Sequence, residues 1–531
     1  MACVFPQLPP ELAEKIVVCL DPNEMPSFRL VNKAAAEQFR SPQHTTFRLS
    51  RPVPPHAFAS HWLAPGATRG MNLWRRRHLL RVTAASGVVA NLEVAVQAAG
   101  CMPTYEVFEA AAAAGKLDSC QWLLDQNCPK TRGKSEGSGL LDVAAERGHW
   151  HVCEWLRGLG IAWSSGGAGA AARGGHVGLM EWLLARRPQL DVRLSSQEEA
   201  KDLFAGVAHG CDLPTLQRMW ERWRELDDGI KRESLAAAAG SPTPDWVDKV
   251  EWLEAQGCRR SVLAGACAAR TSDAAARLAW LQERGYRLDV TALEAAAGTG
   301  GAAALRYLLA EAGVSVSGQK QENIMYTVCE GGRLEALREL HAAGWPLNNA
   351  RCALCAARLG HLHVLAWLEE TLGAGALGIG RGIFTAAARY SGSVEVLAWL
   401  VDRGCEWGPY DINAAAKSGC EEAVEWLVAR AGAVEIAGSP FMDPCRNGDL
   451  AMARLLRRLG VPWGPDGEAV SDAARDAPLP MLRWLLEEGC PVGDYGAARA
   501  AAQERNSGRA EALELLWAHW QAQQEAGAVV A

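Results

Sequence analysis

The sequence is short of several things, and each shortage closes a class of function. No uncharged apolar run approaches the roughly 20 residues that span a bilayer, so no membrane partner is expected. The first basic residue is Lys15, which leaves no charged segment ahead of an apolar one, and no secretory leader is expected. Positive charge is in deficit: 54 Lys and Arg stand against 61 Asp and Glu, a net charge of −7. That argues against a whole-chain electrostatic footprint for nucleic acid or anionic membrane, while a local patch stays open. Tyr and Phe are scarce, at 7 and 9 in 531 residues, yet Trp reaches 21. The 16 Cys are scattered along the chain, which suits a reducing compartment where Cys serves as a small buried apolar residue. The expected location is cytoplasmic, with the nucleus as the alternative.

The tryptophan excess is periodic. Val143-Ala144-Ala145-Glu146-Arg147-Gly148-His149 is followed by Val152, Trp155, Leu156 and Leu159, then Gly160. The same template runs from Ala171-Ala172 through Gly175-His176 to Trp182, from Ala356-Ala357 through Gly360-His361 to Trp367, and from Ala415-Ala416 through Gly419 to Trp426. In these four copies Trp follows Gly by seven residues. Weaker copies extend the series to about 15 units with a mean period of roughly 30 residues, inside the window that marks solenoids. Each unit reads as two helices. Val152, Trp155, Leu156 and Leu159 form one stripe of a 3.6-residue helix, and the preceding Ala-rich helix is smooth enough for close approach. A Gly then ends the second helix, followed by an apolar residue at Cys101, Cys258, Tyr286, Trp345, Cys405, Val461 and Cys490 among others, as in a Schellman stop.

This pattern resembles ankyrin repeats over about residues 79–520. It departs from that family in lacking the Thr-Pro-Leu-His opening, and several units are short, so the hairpin fingers between helix pairs are expected to be trimmed to turns.

The N-terminal segment is different in kind. Leu12, Ile16 and Leu20 give one apolar stripe behind Pro10, too small for a core of its own. Its Leu8-Pro9-x-Glu11-Leu12 start and Arg29-Leu30-Val31-Asn32-Lys33 resemble an F-box, with Ala35 where that family often has Trp. The resemblance implies docking on a Skp-type adaptor of a cullin-RING ubiquitin ligase through Leu8, Pro9, Leu12, Ile16, Leu20, Leu30 and Val31. The alternative is a helical cap on the solenoid. Residues 1–48 are thus read as an F-box-like module, 49–78 as a Pro/Arg-rich connector, 79–520 as the array and 521–531 as a tail. In the connector, Trp74-Arg75-Arg76-Arg77-His78 is a basic run with an aromatic neighbour. It fits a nuclear-import or nucleic-acid patch, but the commoner role of such a run is the solvated start of a helix.

Motifs for chemistry fail in context. Gly373-Ala374-Gly375-Ala376-Leu377-Gly378 matches the dinucleotide fingerprint in letters only, because it follows a helix and not a strand. Gly133-Lys134-Ser135 echoes a phosphate loop without its first Gly. Cys352, Cys355, His361 and His363 have zinc-like spacing, but both Cys fall on apolar repeat positions. His149, His176 and His361 recur with the repeat and are expected to bond backbone at a turn. No cofactor, metal or catalytic group is expected.

What remains is surface. Two residues before the repeat Gly stand Arg173, Arg358, Lys417, Arg446 and Arg475, a cationic ladder that could hold an acidic segment of a target protein. Trp150, Trp220 and Trp223 fall outside the repeat register. The expectation is an all-α ankyrin-like helical solenoid preceded by a small F-box-like module, a non-catalytic adaptor that recruits a target protein to a ubiquitin ligase. The second reading is an ankyrin-repeat scaffold with no ubiquitin role.

Overall fold

A computed structural model describes residues 10–131, 139–160, 166–186, 197–223, 226–431, 439–464, 467–505 and 507–530. Leu8 and Pro9, the Gly133-Lys134-Ser135 segment and Trp163 lie outside them. The described residues are helical throughout and hold no β-strand; one isolated bridge, Cys101 with Asp449, is the sole β-type pairing among them. No described helix is long and apolar enough to cross a membrane.

From Leu73 onward the described residues form fifteen consecutive helix pairs, from Leu73–Ser86 with Val89–Ala99 to Tyr495–Gln503 with Arg509–Val530. We number these pairs as units 1 to 15. The fold is an all-α helical-repeat solenoid. The array begins within the expected connector, because Asn72 caps the first helix by accepting from the Arg75 amide, and helix Pro55–Trp62 packs beside Val89–Ala99 ahead of it. Among the described residues, no hairpin finger separates one pair from the next.

The first helices of successive units stack directly on one another, more closely than the second helices do. Their Ala pairs explain the close approach: Ala111 and Ala112, Ala144 and Ala145, Ala356 and Ala357, and Ala415 and Ala416 are all buried. In a two-layer solenoid the closer-spaced layer lies inside the curve, so the first helices line the inner face.

The repeat Trp all fall on second helices. Most are half-buried and spread over neighbours: Trp155 faces Phe108 at 6.4 Å, and Arg403 and Arg430 each lie 3.8 Å from the ring centres of Trp399 and Trp426. The out-of-register rings pack too. Trp150 lies 4.9 Å from Trp182, and Trp220 and Trp223 meet Phe204 edge-on at 5.7 and 5.8 Å. Tryptophan is therefore the mortar of this wall.

The Gly stops behave as the spacing predicts. In unit 6, Cys258 N donates to Leu253 O and Gly257 N to Glu254 O, closing a Schellman motif that buries Cys258. The same pair of bonds recurs at Tyr286, Trp345, Cys405 and Cys490. Cys258, Cys405 and Cys490 are such buried plugs, and among the described thiols Cys19 alone is exposed.

Residues 10–45 form a satellite. Ala13, Met25 and Phe39 make a small cluster of their own, with Val17, Leu20 and Phe28 against it. Asn23 fastens it to the segment that leads into the array. Its side-chain amide donates to Arg48 O and Pro52 O at 2.9 and 3.1 Å, and its Oδ1 accepts from Arg48 N at 2.7 Å.

Candidate binding surface

In several units a side chain at or just after the inner turn caps the first helix of the preceding unit. A helix leaves its last carbonyls without partners. In unit 3, His149 Nε2 donates to Ala113 O of unit 2 at 3.0 Å, and in unit 10, His361 Nε2 donates to Glu330 O of unit 9 at 2.8 Å. The expected role of these histidines in bonding backbone is thus met. Burial is the first cause that holds both imidazoles below the usual range. The ring also explains the repeat Gly of the preceding unit: His149 packs on Gly115, His176 on Gly148 and His361 on Gly332. Gly148 has φ +76, and a Cβ there would lie 2.5 Å from His176 Cε1.

Other units do the same with cations. Lys249 Nζ, fully buried, donates to Ala208 O, Cys211 O and Ser241 Oγ at 2.8–2.9 Å. Burial drives its pKa down to about 8, against the pull of Asp245. Arg277 Nη1 donates to Ala239 O and Ser241 O, Arg333 to Ala297 O, and Arg505 to Ala473 O, Ala474 O and Ala477 O.

Arg76 performs this role across the molecule. Its Nη2 donates to Gly419 O at 2.7 Å, capping the first helix of unit 12, although Arg76 belongs to unit 1. Both Nη atoms reach Asp449 of unit 13, at 2.5 and 2.8 Å, and Nη1 also donates to Ala99 O. Arg76 is 0% and Asp449 1% exposed. Asp449 meanwhile caps its own helix through Met452 N.

Around this pair a seam closes. Asn72 Nδ2 donates to Ser391 O at 2.9 Å, Arg77 Nη2 to Asn447 O at 2.8 Å, Ala451 N to Gly100 O and Glu422 N to Arg69 O. Arg69 also pairs with Glu425. Gly419 allows the approach, since a Cβ there would sit 2.7 Å from both Leu73 Cβ and Asp449 Oδ2. The starting edge of unit 1 therefore rests on the turn edges of units 11 to 13. One superhelical turn takes roughly eleven units, and its two ends touch. Sequence reasoning missed this: Arg76 looked like one member of a solvated run. The faint signal was Asp449, an acid after the repeat Gly where other units place Lys116, His149, Arg333 or His361.

The cationic ladder lies at the ends of first helices, and most of its charge is answered from an adjacent unit. Arg358 pairs with Glu330 at 2.5 Å, Lys417 with Asp443 at 3.0 Å, Arg446 with Asp472 at 2.6 Å and Arg475 with Glu504 at 3.0 Å. Arg173 is exposed, with no carboxylate partner among the described residues.

The remaining candidates separate. Leu12, Ile16, Leu30 and Val31 are exposed on the satellite, Leu30 at 86%, while Leu20 packs on its cluster. Leu12, Ile16 and Leu20 line one shallow groove with Lys15 and Cys19. Cys352 is buried beside Cys329, and His361 and His363 are spent on Glu330 O and Gly332 O. No group of three metal-binding side chains occurs among the described residues. Gly373–Gly378 spans a single 3₁₀ turn after helix Leu362–Leu372.

No family model matches the sequence, and no curated protein matches it. Solved structures do. The pentatricopeptide repeat protein PPR10 in complex with an 18-nt psaJ RNA element is 13% identical at a TM-score of 0.27, over 87% of this chain and 79% of that one. A triple cysteine-to-serine form of PPR10 with the same RNA gives the same figures, and PPR10 from maize gives 13% identity and a TM-score of 0.23 over 97% and 88%. Two of these three structures hold RNA, against the expectation that nucleic acid is not a partner and that a Skp-type adaptor is one, and that expectation is not carried further. The fault in it was physical: net charge averages over the chain, while binding reads the local surface. At this TM-score no partner is carried over from those proteins, and the helical-repeat architecture rests on this chain's own helix pairs.

Proposed function

We propose that this chain is a non-catalytic binding scaffold that holds an elongated partner along the inner layer of first helices. The observation that carries the proposal is that the first helices bury one face and leave the other towards solvent, as in unit 9, where Asn323 and Thr327 are exposed opposite the buried Ile324, Met325 and Val328. Gly-His turns and Trp-Leu second helices recur along the array. Arg173, Arg358, Lys417, Arg446 and Arg475 line this path. The N-terminal helices serve as an end module of the solenoid and need no ubiquitin chemistry.

Photo-crosslinking in cells tests the reading. A crosslinking residue at Asn323 or Thr327 is expected to trap one partner repeatedly, and one at Glu283 on an outer helix is not. Equal capture from both faces, or none from the inner one, would overturn it.

A further inference from the structure

The seam brings together a patch that neither end of the chain holds alone. Trp74 of unit 1 is 66% exposed, and its ring stacks on His78 at 5.5 Å with an interplanar angle of 5°. Arg75, beside it, is exposed with no carboxylate partner among the described residues. Asn72, the cap of the same helix, donates to Tyr390 O and Ser391 O of unit 11. That contact sets a second exposed ring, Tyr390 at 49%, next to the first turn of the helix. Tyr390 is flanked by Arg358 at 5.4 Å and Arg389 at 5.8 Å, and Arg389 is exposed and also lacks a carboxylate partner among the described residues. A π-turn over Ala387–Ser391 ends the first helix of unit 11 here and presents both the ring and the carbonyls; such turns recur at functional sites.

We infer that this seam patch, Trp74, Arg75 and His78 with Arg389 and Tyr390, binds single-stranded nucleic acid. The inference rests on the reading of the chain as a scaffold and names the class of partner at one place on it. Two exposed rings, Trp74 and Tyr390, beside the guanidinium groups of Arg75 and Arg389, which no carboxylate holds among the described residues, match a ligand that offers unpaired bases and phosphates together. A duplex hides its base faces, and an acidic peptide has no use for the rings. The neighbouring cations differ from Arg75 and Arg389 in that carboxylates already hold Arg358, Lys417 and Arg446. The site exists only while the seam is closed, so Arg76 positions it without touching the ligand.

The test uses the full chain and fluorescence anisotropy with a fluorescein-labelled oligouridylate at low salt. Wild type is expected to bind, with affinity falling as salt rises. Trp74→Ala with Arg75→Glu, and separately Arg389→Glu with Tyr390→Ala, are each expected to weaken binding by about tenfold or more, with circular dichroism unchanged. Arg76→Met is expected to weaken it as well by opening the seam. An RNA duplex and poly-glutamate are expected to compete poorly. No binding, equal competition by poly-glutamate, or unchanged affinity in either paired variant would overturn the inference. None of these outcomes touches the scaffold reading, which stands or falls on the crosslinking pattern.

Discussion

Two kinds of interface hold this molecule together, and they use one chemistry. Between consecutive units, His149, Lys249, Arg277, Arg333 and His361 reach back to the carbonyls that end the preceding first helix. At the seam, Arg76 does the same for unit 12 across 343 positions of sequence. The difference lies in what surrounds the cation. Lys249 is answered chiefly by neutral carbonyls and a hydroxyl, with Asp245 at 3.9 Å, and its charge is held at a cost. Arg76 meets a bidentate carboxylate as well, and both partners are out of water. A consecutive interface is assured by chain connectivity, because the neighbour is never far away. The seam has to be chosen against open solenoids, and a buried ion pair that tolerates no other register does the choosing.

The comparison breaks most sharply at Arg76. Arg76→Met leaves Asp449 buried and unpaired, which should cost about 3–5 kcal/mol and open the superhelix. Small-angle scattering should show a larger radius of gyration while circular dichroism stays helical, and Arg76→Met with Asp449→Leu should recover part of the loss in urea. Gly419→Ala attacks the same seam by overpacking and by its φ of +77, with an expected cost of about 3 kcal/mol and the same scattering change. Arg277→Met, within a consecutive interface, should cost about 2 kcal/mol and leave the radius of gyration alone, with faster hydrogen exchange confined to units 6 and 7.

The cation types also part with pH. The native state disfavours charge on Lys249, whose pKa is about 8 against an ordinary 10.5. The unfolded chain therefore binds more protons between those values, and this residue's contribution to stability rises with pH there. Buried thiols act oppositely. Burial pushes Cys120 up to about 12 from 9.0, so the unfolded state loses its protons first and stability falls above pH 9. Lys249→Met should steepen the alkaline fall seen in urea titrations; an unchanged slope would refute the burial of a charged amine. The smallest effect belongs to the outer face. Arg403→Ala, removing a partly exposed pair with Glu369, should cost less than about 1 kcal/mol by thermal melting.

Much of the array was legible because repetition multiplies a weak local signal. The Gly-to-Trp spacing, the Ala pairs and the apolar residue after each Gly stop all returned as turns, close-packed first helices and buried plugs. The ladder was legible in position and not in charge: the sequence shows Arg358, Lys417 and Arg446 in register, but their carboxylates stand on other units. The basic run Trp74–His78 divides in the same way. Arg75 faces water as a charged helix start would, and Arg76, one residue on, is fully buried.

The sequence by itself determined the unit, its two helices and the role of tryptophan, since these depend on contacts within about one period. Only the tertiary structure decided that the superhelix closes, which cation is buried in the seam and which aromatic rings from units 1 and 11 share a surface. Those outcomes depend on the summed small rotation of each unit against the next. No single repeat encodes that sum, and it is fixed only when all the units are stacked.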